Sequence, residues 1–177
     1  AMVFLPELRV GGMQIFRAEG FDTLGKILPR ATTIAFQISI IYVGITIACG
    51  VAYVLAGMSF FDAVVHSFTT VATGGFSNYD RSFSVFSWQV EYVAILFMIL
   101  SALPFVRYVQ LINGQGTAVF KDPQVKTFIF LICILVVLST LVLSLQLNLS
   151  FELVFRKALF NITSILTDTG YASTNYM

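Results

Sequence analysis

Charged side chains are scarce in this 177-residue chain, because Asp, Glu, Lys and Arg together make up 11% of it while hydrophobic residues make up 58%. The mean hydropathy is +0.89. A soluble domain of this length needs more polar surface, so the composition excludes one and predicts a protein whose main solvent is the lipid bilayer. A net charge of +1 and the lack of a basic, aromatic-rich patch argue against a nucleic-acid partner.

Cysteine and histidine are rare too, with two cysteines and one histidine. Cys49 and Cys133 lie in apolar runs and are predicted to pack in the core or face lipid, with no disulfide and no metal site. His66 has no nearby partner of metal-binding type, so we expect it to pack or to form a hydrogen bond. The sequence has no Gly-x-Ser-x-Gly elbow, His-Glu-x-x-His pair or phosphate-binding loop, which argues against an enzyme and predicts no cofactor.

Three long apolar runs are predicted to cross the membrane, since about 20 apolar residues span its hydrocarbon core. The first run, 34–58, and the last, 128–149, contain no charged residue. The middle run, 82–112, has a kink predicted at Pro104.

Two charged residues lie near the ends of the middle run. Glu91 is expected to reach out to the outer membrane interface, with a role in shaping the pore mouth as the alternative. Arg107 is expected to anchor the inner end.

Two shorter apolar segments, 60–72 and 151–166, are predicted to be re-entrant pore helices. The first would be about 20 Å long as a helix, which is too short to cross. Ser59 and Asp62 at its start resemble a capping box, and Ser150 begins the second segment in a similar way. The alternative is two amphipathic surface helices that share turn residues by chance.

Both short segments lead into a Thr-rich run that ends in Gly and an aromatic residue. The two runs are His66-Ser-Phe-Thr-Thr-Val-Ala-Thr-Gly-Gly-Phe-Ser77 and Asn161-Ile-Thr-Ser-Ile-Leu-Thr-Asp-Thr-Gly-Tyr-Ala-Ser173. Ser59 precedes Gly75 by 16 residues and Ser150 precedes Gly170 by 20. The difference is about one helical turn, so both helices keep the same face toward their surroundings.

The chain is therefore predicted to repeat a unit of span, pore helix, Gly-bearing loop and second span. The first unit is complete, and the second lacks its closing span, which predicts a piece of a longer chain. The predicted parts are a cytoplasmic or interfacial lead-in (1–33), a complete repeat (34–112), a cytoplasmic linker (113–125) and a partial repeat (126–177). Their elements are the spans 34–58, 82–112 and 128–149, the pore helices 60–72 and 151–166, and the filter loops 72–76 and 167–171.

Basic residues predict the orientation, because Lys and Arg near the ends of spans favour the cytoplasm. Seven of them lie on one side of the predicted spans and three on the other, which places the pore loops outside. The seven are Arg9, Arg17, Lys26, Arg30, Arg107, Lys121 and Lys126, and the three are Arg81, Arg156 and Lys157.

The Gly-bearing loops suit the passage of a cation. Backbone carbonyls aimed into a narrow path replace the oxygens of the hydration shell, and glycine permits the backbone turn that this requires. The negative end of the preceding helix dipole adds to the attraction. The predicted ion-lining residues are Ala72, Thr73, Gly74, Gly75, Thr167, Asp168, Thr169 and Gly170. Phe76 and Tyr171 are expected to support the loops by packing against surrounding helices.

Asp168 is unusual, because acids at membrane depth are costly and usually functional. We expect its carboxylate to brace the loop by accepting hydrogen bonds from loop amides. The alternative is that it raises the local cation concentration at the outer mouth.

These motifs resemble the Trk/Ktr/HKT superfamily of potassium uptake proteins, most closely the bacterial TrkH/TrkG-type membrane subunit. The resemblance rests on Leu5-Pro-Glu-Leu-Arg-Val-Gly-Gly-Met-Gln-Ile-Phe-Arg-Ala-Glu19, on the first loop motif and on Asp122-Pro-Gln124. It implies an all-α integral membrane fold of four potassium-channel-like units around one pore. By that resemblance, this chain looks like the second unit and most of the third.

The same resemblance implies potassium as the transported ion at the filter and the bacterial plasma (inner) membrane as the location. It also implies several partners: the missing repeats of the parent chain, a second copy in a homodimer, and a cytoplasmic nucleotide-binding regulatory subunit.

Two other functions stay open at this point. A symporter that couples potassium to sodium or protons could use the broken segments as a midplane site. A non-conducting scaffold subunit would tolerate a side chain at Gly75, whereas a filter would not.

Overall fold

The computed structural model describes residues 31–114, 118–146 and 149–174, and all the regular elements within these ranges are helical. The predicted lead-in lies outside them up to residue 30. In chain order the α-helices are α1 (Ala31–Leu55), α2 (Phe60–Val71), α3 (Trp88–Ala102), α4 (Phe105–Ile112), α5 (Ala118–Lys121), α6 (Pro123–Gln146) and α7 (Phe151–Leu166), with a 3₁₀ helix at Ser82–Val85 between α2 and α3.

Helices α1 and α6 are long and apolar enough to cross a membrane. Within the chain, only 22% of the most apolar stretch of α1 and 17% of that of α6 is buried. Their remaining apolar surface needs a lipid or protein neighbour, since water would solvate it poorly. The chain is therefore an integral membrane protein of the all-α class.

Helix α1 ends three residues before the predicted span does. Gly57 has a φ of +96° and its amide donates to the Val54 carbonyl at 3.0 Å, while the Met58 amide donates to the Tyr53 carbonyl at 3.0 Å. This pair of bonds is a Schellman motif, which uses glycine because the left-handed conformation strains residues with a Cβ. The chain can then turn at once into α2.

The predicted span 82–112 is not one continuous helix. The 3₁₀ helix occupies its first residues, and the axes of α3 and α4 differ by 86° at the break between them. Pro104 has no amide hydrogen to donate to the Leu100 carbonyl, and its ring blocks a helix from continuing. The Tyr108 hydroxyl donates to that carbonyl at 2.6 Å instead. The bend therefore leaves the carbonyl with a partner.

Asp122 joins the helices at the other end of α4. It forms an ion pair with Arg107, which the sequence predicts to be an inner-side anchor, and its Oδ1 accepts from the Gln124 amide at 2.7 Å at the start of α6. Burial by itself raises the pKa of Asp122, but the Gln124 amide and the Arg107 guanidinium outweigh it and lower the pKa below its usual value. The carboxylate thus fixes α4 against α6 in its ionised form.

The core lies where the two repeats meet. Helix α2 packs on α1 and α3, and α7 packs on α3 and α6. Phe83 of the 3₁₀ helix is fully buried at the centre, with its ring centroid 4.3 Å from that of Tyr171 and 5.3 Å from that of Phe160. The free thiol of Cys49 is buried in the same core, while Cys133 is exposed on α6. The first repeat thus holds the second through α3 and the 3₁₀ helix.

Candidate functional site

Helices α2 and α7 occupy equivalent places in the two repeats. They end at Val71 and Leu166, which are 95 residues apart, and contain 12 and 16 residues. The extra turn of α7 is at its start. Ser59 caps α2 by accepting from the Asp62 amide at 3.1 Å, whereas Ser150 stands at the start of α7 without a side-chain capping bond.

The loop after α2 begins with a second Schellman motif. The amide of Thr73 donates to the Thr70 carbonyl at 3.1 Å, and that of Gly74 donates to the Thr69 carbonyl at 2.8 Å. Thr73 has a φ of +50° and Gly75 a φ of +64°. Thr73 is β-branched, so this left-handed conformation strains it, and strain of this kind concentrates at functional sites.

The loop after α7 has the same backbone, shifted by 95 residues. The amide of Asp168 donates to the Ile165 carbonyl at 3.1 Å, and that of Thr169 donates to the Ser164 carbonyl at 2.9 Å. Asp168 has a φ of +58° and Gly170 a φ of +86°. In both copies two left-handed residues are separated by one residue. Two unrelated surface turns would have no reason to share this backbone conformation.

The two loops touch each other at Gly75. A Cβ built on Gly75 would overlap the carbonyl oxygen and carbon of Thr169, which belong to rigid backbone. A Cβ on Gly170 meets nothing within 4 Å among the described residues. Gly75 is therefore required by the close approach and by its φ, and Gly170 by its φ.

The remaining predicted filter residues lie at the helix ends. Ala72 and Thr167 are the C-caps of α2 and α7. The Thr167 hydroxyl bonds the Thr163 carbonyl at 2.8 Å and the Thr169 hydroxyl at 2.7 Å, so both threonine side chains are turned away from the surface.

The two aromatic residues predicted to support the loops differ. Tyr171 is 3% exposed, and its hydroxyl hydrogen-bonds the hydroxyls of Thr69 and Thr70 on α2, the pore helix of the other repeat. Phe76 is 75% exposed. Within the residues that the structure describes, packing of the expected kind is therefore seen for Tyr171 alone.

Asp168 lies directly after the end of α7. Its side chain is exposed, and no described amide donates to its carboxylate, so bracing from behind the loop is not observed in residues 31–114, 118–146 and 149–174. The chain turns back along α7 only after Asp168, since Ser173 contacts Lys157 in the first half of that helix. The carboxylate lies at the helix end of the loop, directly after the C-cap Thr167.

Glu91 is the clearest correction to the sequence-based predictions. It does not extend to the membrane interface but is 1% exposed at the start of α3, paired with Arg156 and, at 2.5 Å, with Lys157 of α7. The sequence conceals this because the two cations lie 65 and 66 residues further along the chain. The buried carboxylate links one repeat to the pore helix of the next.

His66 is fully buried between aromatic rings, as its predicted packing role requires. Its Nδ1 donates to the Asp62 carbonyl at 2.8 Å, so in the neutral ring Nε2 accepts from the Ser77 hydroxyl at 3.1 Å.

Sequence reasoning missed the polar contacts that hold the returning part of each loop, residues 76–79 and 171–174. The sequence predicts Asp62 only as part of a capping box, yet its carboxylate also accepts from Asn78 and Tyr79. The sequence contains one signal that could have drawn attention to these positions: Asp62 and Lys157 are equivalent in the two copies, 95 residues apart, and carry opposite charges.

Comparisons with known proteins agree on one family. A family profile described as TrkH, cation transport protein, matches residues 1–176. The chain is 39% identical over 177 residues to the Trk system potassium uptake protein TrkI of Halomonas elongata, covering 99% of this chain and 36% of that protein. It is 37% identical over 183 residues to the Trk system potassium uptake protein TrkH of Vibrio parahaemolyticus, covering 99% and 38%.

A solved structure agrees with these sequence matches. The crystal structure of the potassium transporter TrkH from Vibrio parahaemolyticus superimposes with a TM-score of 0.82 at 32% identity, covering 98% of this chain and 36% of that one. The chain thus spans little more than a third of the length of the relatives that it matches.

Proposed function

Because this chain belongs to the TrkH family of cation transport proteins, we propose that it forms part of a membrane pathway for potassium uptake. The observation that carries the proposal is the pair of loops with one backbone, in contact at Gly75 and Thr169. A cation site made of carbonyls needs several short loops brought together in this way. Family members of this type are transporters, so the proposal includes no catalytic step and no cofactor, and potassium is the substrate.

The proposed ion-lining groups are the backbone carbonyls of residues 72–75 and 167–170. Supporting observations are the left-handed residues within both segments and the burial of the Thr167 and Thr169 side chains. Tyr171 is proposed as a support residue because its hydroxyl bonds α2 and its ring packs on Phe83 of the 3₁₀ helix.

We further propose that this chain supplies two of the units that surround one pore. Its coverage of about a third of its relatives supports this organisation. The excess of basic residues on one side supports loops that face outward from the bacterial inner membrane. A homodimer and a cytoplasmic nucleotide-binding regulatory subunit are proposed as partners from the family resemblance.

The test is potassium and sodium flux in liposomes that contain the full-length protein carrying this chain. Wild type is compared with Gly75→Ser and Gly170→Ser at equal, verified incorporation. Gly44→Ser is the matched control, since Gly44 lies in α1 with nothing within 4 Å of its Cβ position. We expect both loop variants to lose potassium preference or flux and the control to keep them.

Gly170→Ser is the more informative of the two loop variants, because a side chain there meets no described neighbour and disturbs chiefly the loop backbone. If both loop variants retain wild-type flux and selectivity, the loops do not line the ion path. A flux that requires a sodium or proton gradient would identify coupled uptake instead of channel-like uptake.

A further inference from the structure

Two positions on each pore helix hold the returning part of the loop that follows it. The 95-residue offset that relates the loops pairs Asp62 with Lys157 and pairs His66 with Asn161. The same offset pairs Asn78 with Ser173, three residues after each loop glycine. These equivalent helix positions both contact the returning part of the following loop, with different chemistry.

In the first repeat the helix position carries an acid. The Asp62 carboxylate accepts from Asn78 Nδ2 at 2.9 Å and from the Tyr79 hydroxyl at 3.0 Å, and also from the Ser59 hydroxyl at 2.7 Å. One turn along α2, His66 bonds the Ser77 hydroxyl. A carboxylate with three donors around it is held in its ionised form.

In the second repeat the same helix position carries a base. Lys157 Nζ donates to the Ser173 carbonyl at 2.6 Å. One turn along α7, Asn161 Nδ2 donates to the Ser173 hydroxyl at 3.1 Å and Asn161 Oδ1 accepts from the Ser173 amide at 3.2 Å. Glu91, 2.5 Å from Lys157, balances the lysine charge.

We propose that Asp62 with His66, and Lys157 with Asn161, are positioning residues that set the width of the ion path by fixing the returning part of each loop. We name each pair a clip. The charge of each helix residue matches the groups that its loop presents. Asp62 faces amide and phenol donors at residues 78 and 79, and Lys157 faces a carbonyl acceptor at residue 173.

A clip completes the support of each loop. The Schellman bonds attach the beginning of the loop to the end of its helix, and the clip attaches its return to the first half of that helix. Since a carbonyl site distinguishes cations by the spacing and freedom of its oxygens, loosening one attachment should change selectivity before it unfolds the helix. This inference rests on the proposed function.

The test measures the potassium-over-sodium permeability ratio of the full-length protein in liposomes, together with its thermal stability. Asn78→Ala removes a clip contact in the first repeat, and Ser59→Ala is its control, because Ser59 bonds Asp62 and caps α2 without touching the loop. Lys157→Met removes a clip contact in the second repeat. Arg156→Met is its control, because it too loses a bond to Glu91 but makes none to the loop.

We expect the permeability ratio to fall about fivefold in Asn78→Ala and in Lys157→Met, which corresponds to about 1 kcal/mol, the net worth of one hydrogen bond. The two controls lower thermal stability and keep the ratio. If Lys157→Met fails to assemble, Asn161→Ala decides, since it removes two of the bonds to Ser173 without unpairing Glu91.

An unchanged ratio in the clip variants overturns the inference, and so does an equal loss in the controls, which would reflect general destabilisation. Gly170→Ser separates this result from the proposed function, because a side chain there meets no described neighbour. If that substitution abolishes selectivity while the clip variants do not, the filter stands and the clips fail. If it changes nothing, the filter proposal itself fails.

Discussion

At the scale of single residues, the left-handed positions of the loops show two separate reasons for a glycine: space for a neighbouring backbone and a positive φ. Gly75 is required by space as well as by its φ. Thr73 and Asp168 have the same backbone without being glycine. Aspartate tolerates this conformation better than threonine does, because its short polar side chain is not β-branched. A charged residue can therefore stand in the second loop at little cost to the backbone.

The exposed carboxylate of Asp168 is expected to attract cations to the loop. Asp168→Asn keeps the left-handed backbone and removes the charge, so potassium flux should fall several-fold at about 0.01 M ionic strength and little at about 0.15 M, where the screening length is about 8 Å. Liposome flux at varied ionic strength measures this. Thr73→Asn, at the equivalent position, changes no charge and should show no such dependence. Unchanged flux with lower thermal stability would point to a bracing role.

At the scale of helices, the break between α3 and α4 illustrates how a sequence signal is completed by tertiary contacts. Pro104 predicts a kink, but the size of the bend depends on contacts from residues further along the chain. Tyr108 supplies the donor that the Leu100 carbonyl has lost, and Asp122 fixes Arg107. Both partners follow the proline in sequence, and nothing in the periodicity identifies them.

Tyr108→Phe should lower stability by about 1–2 kcal/mol, because the Leu100 carbonyl loses its hydroxyl donor inside the membrane protein. Thermal unfolding of the purified protein measures the change. Tyr42→Phe is the control, since the Tyr42 ring packs near Phe105 while its hydroxyl bonds none of the described residues. Equal losses of stability in the two variants would show that the Tyr108 hydroxyl contributes no more to stability than the Tyr42 hydroxyl does.

Asp122 should make stability depend on pH on the acid side. Its pKa lies below the usual value, so its ion pair contributes fully above about pH 4 and is lost as the pH falls through the lowered pKa. The difference in melting temperature between wild type and Asp122→Asn should therefore shrink as the pH drops from 7 to below about 4. Asparagine keeps the capping oxygen, so Asp122→Ala should be less stable than Asp122→Asn. A difference independent of pH would contradict this role.

At the scale of the whole molecule, the two repeats are joined by polar contacts as well as by the aromatic core. The Phe83 amide donates to the Ala172 carbonyl at 2.9 Å, and the Ala172 amide donates to the Ser82 hydroxyl at 3.2 Å. The Tyr171 hydroxyl reaches α2, and Glu91 reaches α7. Each loop is thus positioned partly by the neighbouring repeat, which is how successive units can share one path.

Glu91→Gln should lower stability by about 2–3 kcal/mol, because it leaves Arg156 and Lys157 without their buried counter-charge. The control is Glu152→Gln, whose side chain is 62% exposed and pairs with Arg156 one turn away, and which should cost about 0.5 kcal/mol or less. Thermal unfolding at neutral pH compares the two. Similar losses would show that burial of Glu91 adds nothing to the pair.

The sequence by itself determined the membrane class, two of the helices able to span the membrane, the two short helices that precede the loops, and the glycines of the loops. These follow from local physics: apolar length, capping residues and the φ values that glycine permits. The 95-residue relation between the two copies is also visible in sequence, because equivalent loops need glycine at equivalent places.

Only the tertiary structure decided which polar residues lie inside. Glu91 is buried because its counter-charges come from another helix. Tyr171 is buried because α2 of the other repeat lies beside it, whereas Phe76 has no such helix beside it among the described residues and is exposed. Burial of a polar group depends on partners that the fold brings from distant parts of the chain, and a local pattern carries no record of them.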